Sequence, residues 1–265
     1  DPAASACDEP ADPAASAYAV CPSADLCLRE AFCYLGVKAR QHFTLLGIGP
    51  GNAGGLTLEG RQALEEADVV FGASRMLDLL KETGISQKPV FVSWKPDEMR
   101  QYAADNPQYQ RIVVALSGDP GFYSGAAKLL QVWKDEDVRV LPGLSTVQVL
   151  CARAKTDWQQ VFCVSRHGRK GALLAALRSH EQVFLLPGES LPELCRSLLE
   201  AGYEDVRMVA GSRLSYPDEQ VLCGSPLELK EYSCPEPYAV LLCNPAAGDA
   251  VCTQGIPDAE FLRLM

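Results

Sequence analysis

From Phe43 onward the apolar positions fall into short continuous runs separated by stretches with helical spacing. Phe43–Ile48 is an apolar run ending in glycines and predicts a buried strand. Thr57–Ala67 places Leu58, Ala63, Leu64 and Ala67 at helical intervals. Asp68–Gly72 predicts a second strand, Ser74–Lys81 a helix opened by Ser74 as N-cap, and Pro89–Ser93 a short strand. Arg111–Leu116 is the kind of uninterrupted apolar run that a parallel sheet buries on both faces. Ser124–Trp133 and Ser145–Ala154 read as helices on either side of a strand at Val138–Leu141. Strand–helix alternation at this spacing gives right-handed βαβ units and a parallel sheet.

The second half changes character. Strands are predicted at Val161–Ser165, Val183–Leu186, Arg207–Ala210, Glu219–Cys223 and Tyr238–Cys243, and helices at Gly171–Ser179 and Leu191–Ala201. The last two strands follow one another without a long helix, which favours antiparallel pairs and a mixed sheet. The fold class is therefore α/β, with two α/β domains: residues 43–155 on a mainly parallel sheet and 156–250 on a mixed one. Residues 1–42 stand apart. Their Ala/Pro/Ser composition repeats one hexapeptide at Asp1–Ala6 and Asp12–Ala17 and cannot offset the cost of chain ordering, so a flexible extension is expected, with a short helix at Leu26–Leu35. It carries no basic segment followed by an apolar one, as a secretory signal would. Residues 251–265 form a tail.

Composition narrows the function classes. A chain of 265 residues with 48% hydrophobic residues has ample core-forming material, and no apolar run reaches the 18 or so residues of a membrane span. A formal charge of −10 argues against a nucleic-acid surface, which needs clustered Lys and Arg. The eleven cysteines lack the two-residue spacing of a zinc knuckle, so no metal site is expected. Several, such as Cys163, Cys223 and Cys243, sit in or beside apolar runs where a thiol behaves as a small hydrophobe, in keeping with reduced thiols in a cytoplasmic protein.

The candidate chemistry lies in three turns that follow predicted strands, at the sheet edge where open α/β folds bind ligands. The first is Gly47-Ile-Gly-Pro-Gly-Asn-Ala-Gly-Gly-Leu-Thr57. A dinucleotide fingerprint is the obvious alternative, but Asn52 occupies the third glycine position and no acidic residue ends the second strand. The second turn is Ser117-Gly-Asp-Pro-Gly-Phe-Tyr123, whose Asp-Pro-Gly also suits an ordinary turn. The third is Leu141-Pro-Gly-Leu-Ser-Thr-Val147, where Ser145 or Thr146 could serve as an N-cap and nothing more. Singly each turn is unspecific; three in this order are not.

In that combination the chain resembles the tetrapyrrole (corrin/porphyrin) methylase family, over residues 43 to about 245. Further cues at Phe71–Leu77, Ser165–Arg169, Phe184–Gly188 and Leu214–Glu219 resemble the branch that methylates a meso carbon, C-5, of a precorrin in cobalamin biosynthesis. The resemblance implies S-adenosyl-L-methionine as donor and S-adenosyl-L-homocysteine as product, bound in a cleft between the two domains. By motif position Pro50, Gly118, Asp119, Phe122, Ser145 and Thr146 would hold it, completed by Leu186, Ala210 and Gly211. Arg75, Arg166, Arg169 and Arg213 lie near these cues. Of this region Arg166, His167 and Arg169 are assigned to the carboxylate-rich substrate, since guanidinium pairs carboxylate bidentately. Asp119, Tyr123 and Glu219 are the candidates for a base, with a solvated turn as the alternative for Glu219. The resemblance also implies a homodimer, and a separate subunit for any C-15 methylation and decarboxylation. Competing readings are a family member acting on diphthamide or on a ribose of ribosomal RNA, and, from another class, a non-catalytic nucleotide-binding module.

Overall fold

A computed structural model describes residues 40–81, 87–167 and 172–248. Its first sheet is built from β1 (His42–Gly47), β2 (Val69–Gly72), β3 (Val90–Val92), β4 (Arg111–Leu116) and β5 (Asp137–Leu141). They lie in the order β3-β2-β4-β1-β5, all parallel. Crossover helices α1 (Leu58–Glu66), α2 (Ser74–Lys81), α3 (Pro96–Asp105) and α4 (Ala126–Val132) cover both faces. On one face Phe43, Leu45, Phe71 and Val114 pack against Met99, Leu129 and Trp133. On the other, Leu46, Val70 and Val113 pack against Leu64, Met76 and Leu77. The apolar runs are continuous because alternate residues meet helices on opposite sides.

Register decides where the turns emerge. Gly47 pairs with Leu116 and Leu46 with Leu141, so β1, β4 and β5 end level with one another. The three glycine-bearing turns therefore start side by side along one edge.

The helix after β5, α5 (Thr146–Ala154), leaves this sheet and packs on the second one. Its start is set by Ser145, whose hydroxyl and backbone exchange bonds with Gln148 in a capping box. The second sheet comprises β6 (Phe162–Ser165), β7 (Gln182–Leu186), β8 (Arg207–Ser212), β9 (Gln220–Gly224) and β10 (Tyr238–Cys243), ordered β6-β7-β10-β8-β9. Only β6 and β7 are parallel; the other neighbours are antiparallel. One face carries α6 (Leu173–Ser179) and α7 (Leu191–Glu200), with α8 (Pro226–Leu229) beside them. The opposite face, through Phe184, Ala239 and Leu241, is covered by Val147, Leu150 and Cys151 of α5 and by Phe122 from the turn after β4. Contacts between the two sheets thus run through the first half's own motif segments.

Local expectations differ in a few places. Ser74 is the first helical residue of α2, because the Ala73 carbonyl accepts the first helical bonds from Met76 and Leu77. Helix α4 begins at Ala126 rather than Ser124. Helix α3 had no counterpart in the periodicity; its signals are Pro96 at the first turn with Asp97 and Glu98 beside it. The predicted helix at Leu26–Leu35, the repeat and the tail lie outside the described residues. Among the described residues no helix is long and apolar enough to cross a membrane, and no group of three acidic, His or Cys side chains could hold a metal. Cys151, Cys163, Cys195, Cys223, Cys234 and Cys243 are free thiols.

Candidate functional site

The turns after β1, β4 and β5 interlock through their backbones. Gly49 and Gly118 exchange N–H···O bonds of 3.3 and 2.9 Å. A Cβ on Gly143 would stand 2.5 Å from the carbonyl oxygens of both Gly118 and Gly47, and one on Gly47 would stand 2.6 Å from Gly118 O. No side chain fits there, which is the physical reason for glycine at these positions. Asp119 ties the assembly: one carboxylate oxygen accepts from Gly121 N at 2.7 Å, the other from Gly143 N at 3.1 Å.

The turn after β4 and the start of α5 line a cleft of about 320 Å³, and the turn after β1 braces them from behind. From the first half it is lined by Arg75, Ser117, Gly118, Asp119, Phe122 and Thr146, and from the second by His167, Leu186, Pro187 and the segment Glu236–Tyr238. Two contacts bridge the halves beside it. The Tyr123 hydroxyl donates to Cys163 O at 2.8 Å, and the Phe122 ring meets Phe184 edge-on with centroids 5.7 Å apart.

Of the residues assigned to the donor from sequence, Gly118, Asp119, Phe122, Thr146 and Leu186 line this cleft. Four do not. Pro50 is buried in the first turn. Ser145 is 5% exposed, with its hydroxyl occupied by the capping box. Ala210 is fully buried in the core under α6 and α7. Gly211 is buried where a Cβ would meet Leu150 and Leu214 at 2.8 Å, so its role is close packing of β8 on α5.

The base candidates are all engaged. Asp119 receives two backbone N–H groups, and Tyr123 donates to a carbonyl. Glu219 lies away from the lining and joins α5 to the β8–β9 loop: it accepts from Arg153 Nε at 2.5 Å and from Ser215 N at 2.6 Å. The hydrogen bond from Arg153 holds its carboxyl below the usual range, unsuited to taking a proton near neutrality. Glu219, expected as a base candidate or a solvated turn residue, is placed off the cleft lining, where it anchors the β8–β9 loop to α5.

Among the substrate candidates, His167 is exposed on the cleft lining. Arg166 is not on the lining and forms an ion pair with Glu189, which itself accepts from Gly188 N. Arg169 lies outside the described residues. Arg75, named near the family cues but left unassigned, supplies a guanidinium to the cleft lining, and the segment Glu236–Tyr238, which the sequence did not single out, lines it too. The latter carried no motif, because only the pairing of β10 with β7 and β8 brings it to the cleft. Burial, then the nearby Glu189 carboxylate, pushes the Tyr238 phenol well above its ordinary pKa, and it donates to Glu189 O.

The groups present suit the implied methyl donor. Phe122, Tyr123, Leu116 and Leu186 give the lining aromatic and aliphatic surface suited to a flat heterocycle, and Asp119 and Glu236 give it negative charge suited to a cationic ligand.

A parallel sheet joined to a mixed one, with a cleft lined by the turn after β4 and the start of α5, defines an α/β protein with a small-molecule cleft at the carboxyl edge of its first sheet. Residues 42–229 match the family Tetrapyrrole (Corrin/Porphyrin) Methylases, and the chain belongs to it. It is 30% identical over 186 residues to the cobalt-precorrin-7 C(5)-methyltransferase of Salmonella typhimurium, covering 67% of this chain and 88% of that one. It is 28% identical over 183 residues to the probable cobalt-precorrin-7 C(5)-methyltransferase of Methanocaldococcus jannaschii, covering 67% and 86%. Uroporphyrin-III C-methyl transferase from Thermus thermophilus, solved in complex with S-adenosyl homocysteine, shares the fold with a TM-score of 0.61 and 20% identity, over 76% of this chain and 92% of that one.

Proposed function

We propose that this chain transfers a methyl group from S-adenosyl-L-methionine to the C-5 meso carbon of a cobalt-precorrin or precorrin. The observation that carries this reading is the interlocked set of turns at Gly47, Gly118 and Gly143, of which the Gly118 turn lines a cleft completed by residues of the second sheet. The relatives' names supply the substrate.

The donor supplies a methyl already activated on a sulfonium, and the macrocycle offers an enamine-like carbon as nucleophile. The protein's task is then to align two carbons and exclude water, and it need not activate a serine or cysteine. Gly118 presents its backbone on the cleft lining, and Gly143 lets the third turn pack against the first two. Phe122 and Leu186 close the apolar flanks, and Thr146 offers a hydroxyl at the start of α5. Asp119 acts by holding the second and third turns together. Residues 43–155 and 156–250 act as the two domains flanking the cleft, and the working form is a cytoplasmic homodimer.

The test is incubation with cobalt-precorrin-7 and methyl-deuterated donor, followed by mass spectrometry. A gain of one labelled methyl is expected; none overturns the reading. In parallel, calorimetry is expected to show S-adenosylhomocysteine binding and no NADH binding, and the reverse pattern would favour a nucleotide-binding module.

A further inference from the structure

Resting on that reading, we propose that Arg75 is the residue that receives a rim carboxylate of the macrocycle, and that Tyr216 is its positioning residue. Several other arginines are already committed to ion pairs. Arg139 pairs with Glu59, Arg153 with Glu219, Arg166 with Glu189 and Arg213 with Asp218. Arg75 is exposed on the cleft lining, and among the described residues no carboxylate lies within ion-pair distance of it. Among the described residues its side-chain partner is neutral: Nη1 donates to the Tyr216 hydroxyl at 3.2 Å. A guanidinium carries five N–H donors in a rigid fork. One bond to a phenol fixes the fork's direction and leaves its charge and most of its donors to a ligand.

The phenol is itself held. The Arg213 guanidinium carbon lies 4.5 Å from the centre of the Tyr216 ring. A Cβ on Gly51 would come within 2.3 Å of the same ring, so Tyr216 packs directly on the first turn. Glu219, gripped by Arg153 and Ser215 N, anchors the loop that carries it. Arg75 is thus aimed by a braced side chain.

A carboxylate could come from the donor's amino-acid end or from the macrocycle. Position favours the macrocycle. The donor-type turns follow β1, β4 and β5, whereas Arg75 opens the helix after β2, the strand flanking β4 on the side away from β1. It reaches the shared lining from a segment that carries none of the donor-type turns.

The test uses the full chain with Arg75→Met, Arg75→Lys and Tyr216→Phe. The readouts are KM and kcat with cobalt-precorrin-7, calorimetric Kd for S-adenosylhomocysteine, and Kd for cobyrinic acid and its heptamethyl ester. Arg75→Met is expected to raise KM and the cobyrinic acid Kd about ten-fold or more, the loss of a charge-assisted bond, with S-adenosylhomocysteine binding unchanged. Lys at 75 restores part of the loss, Tyr216→Phe gives a smaller rise of the same kind, and binding of the ester ignores all three changes. Unchanged KM and Kd in Arg75→Met, or equal weakening of S-adenosylhomocysteine, overturns the proposal. So does failure of the wild type to bind either macrocycle. If the wild type binds cobyrinic acid through Arg75 yet does not methylate cobalt-precorrin-7, the proposed reaction fails and this assignment stands.

Discussion

Replacing Gly143 with Ala adds one carbon at the point where three turns meet. That carbon would lie 2.5 Å from Gly118 O, 2.5 Å from Gly47 O and 2.6 Å from Gly47 C. Attractive contact between such atoms begins near 3.5 Å, so both carbonyls must retreat by about 1 Å. They belong to the ends of adjacent parallel strands, which cannot swing aside as a side chain would. Overpacking of this kind costs about 1–3 kcal/mol. The shift also stretches the 3.1 Å bond from Gly143 N to the Asp119 carboxylate, which as a charged bond contributes about 1.5–3 kcal/mol. A loss of about 3–5 kcal/mol is expected, large against a total stability of about 5–15 kcal/mol. At about 2–4 °C per kcal/mol for a protein of this size, Tm falls by about 6–20 °C. Differential scanning fluorimetry measures it, with calorimetry of S-adenosylhomocysteine on the folded fraction at low temperature. Gly125→Ala is the control: a Cβ there meets nothing within 4 Å, so Tm stays close to wild type. If Gly143→Ala also stays within about 2 °C of wild type and binds the ligand normally, the close-approach argument is wrong.

Asp119→Asn separates positioning from proton transfer: an amide nitrogen replaces one acceptor, facing either Gly121 N or Gly143 N. A loss of about 1–3 kcal/mol and weaker S-adenosylhomocysteine binding are expected, whereas an unchanged Tm with kcat down about a hundred-fold would make Asp119 the base after all. For Glu219 the carboxyl pKa is lowered in the folded chain, chiefly by Arg153. Its contribution is therefore present above the ordinary glutamate range and is lost as pH falls through the folded value. Glu219→Gln should lower stability to urea at pH 7 by about 1–3 kcal/mol, and its deficit relative to wild type should shrink below about pH 4; a deficit that persists in acid would deny the ion pair its role.

The apolar runs at Phe43–Ile48, Arg111–Leu116 and Tyr238–Cys243 announce strands because a sheet buried on both faces leaves no polar alternation to confuse the pattern. The glycines of the three turns were equally legible, since backbone contacts exclude a side chain at Gly47 and Gly143. Residues whose task is set by a partner distant in sequence were not. Ser145 and Glu219 looked like ligand or catalytic groups, yet one caps α5 and the other anchors a loop, roles fixed by Gln148 and Arg153.

The chain alone thus determined the strand–helix order, the parallel-then-mixed sheets and the turns that mark a methylase, all features written in local periodicity and local backbone need. Tertiary structure decided that α5 crosses to the second sheet, that β10 delivers Glu236–Tyr238 to the cleft, and that Arg75 faces it while Arg166 is paired elsewhere. Charge pairing and cleft lining depend on side chains meeting across long sequence separations, and periodicity carries no record of those meetings.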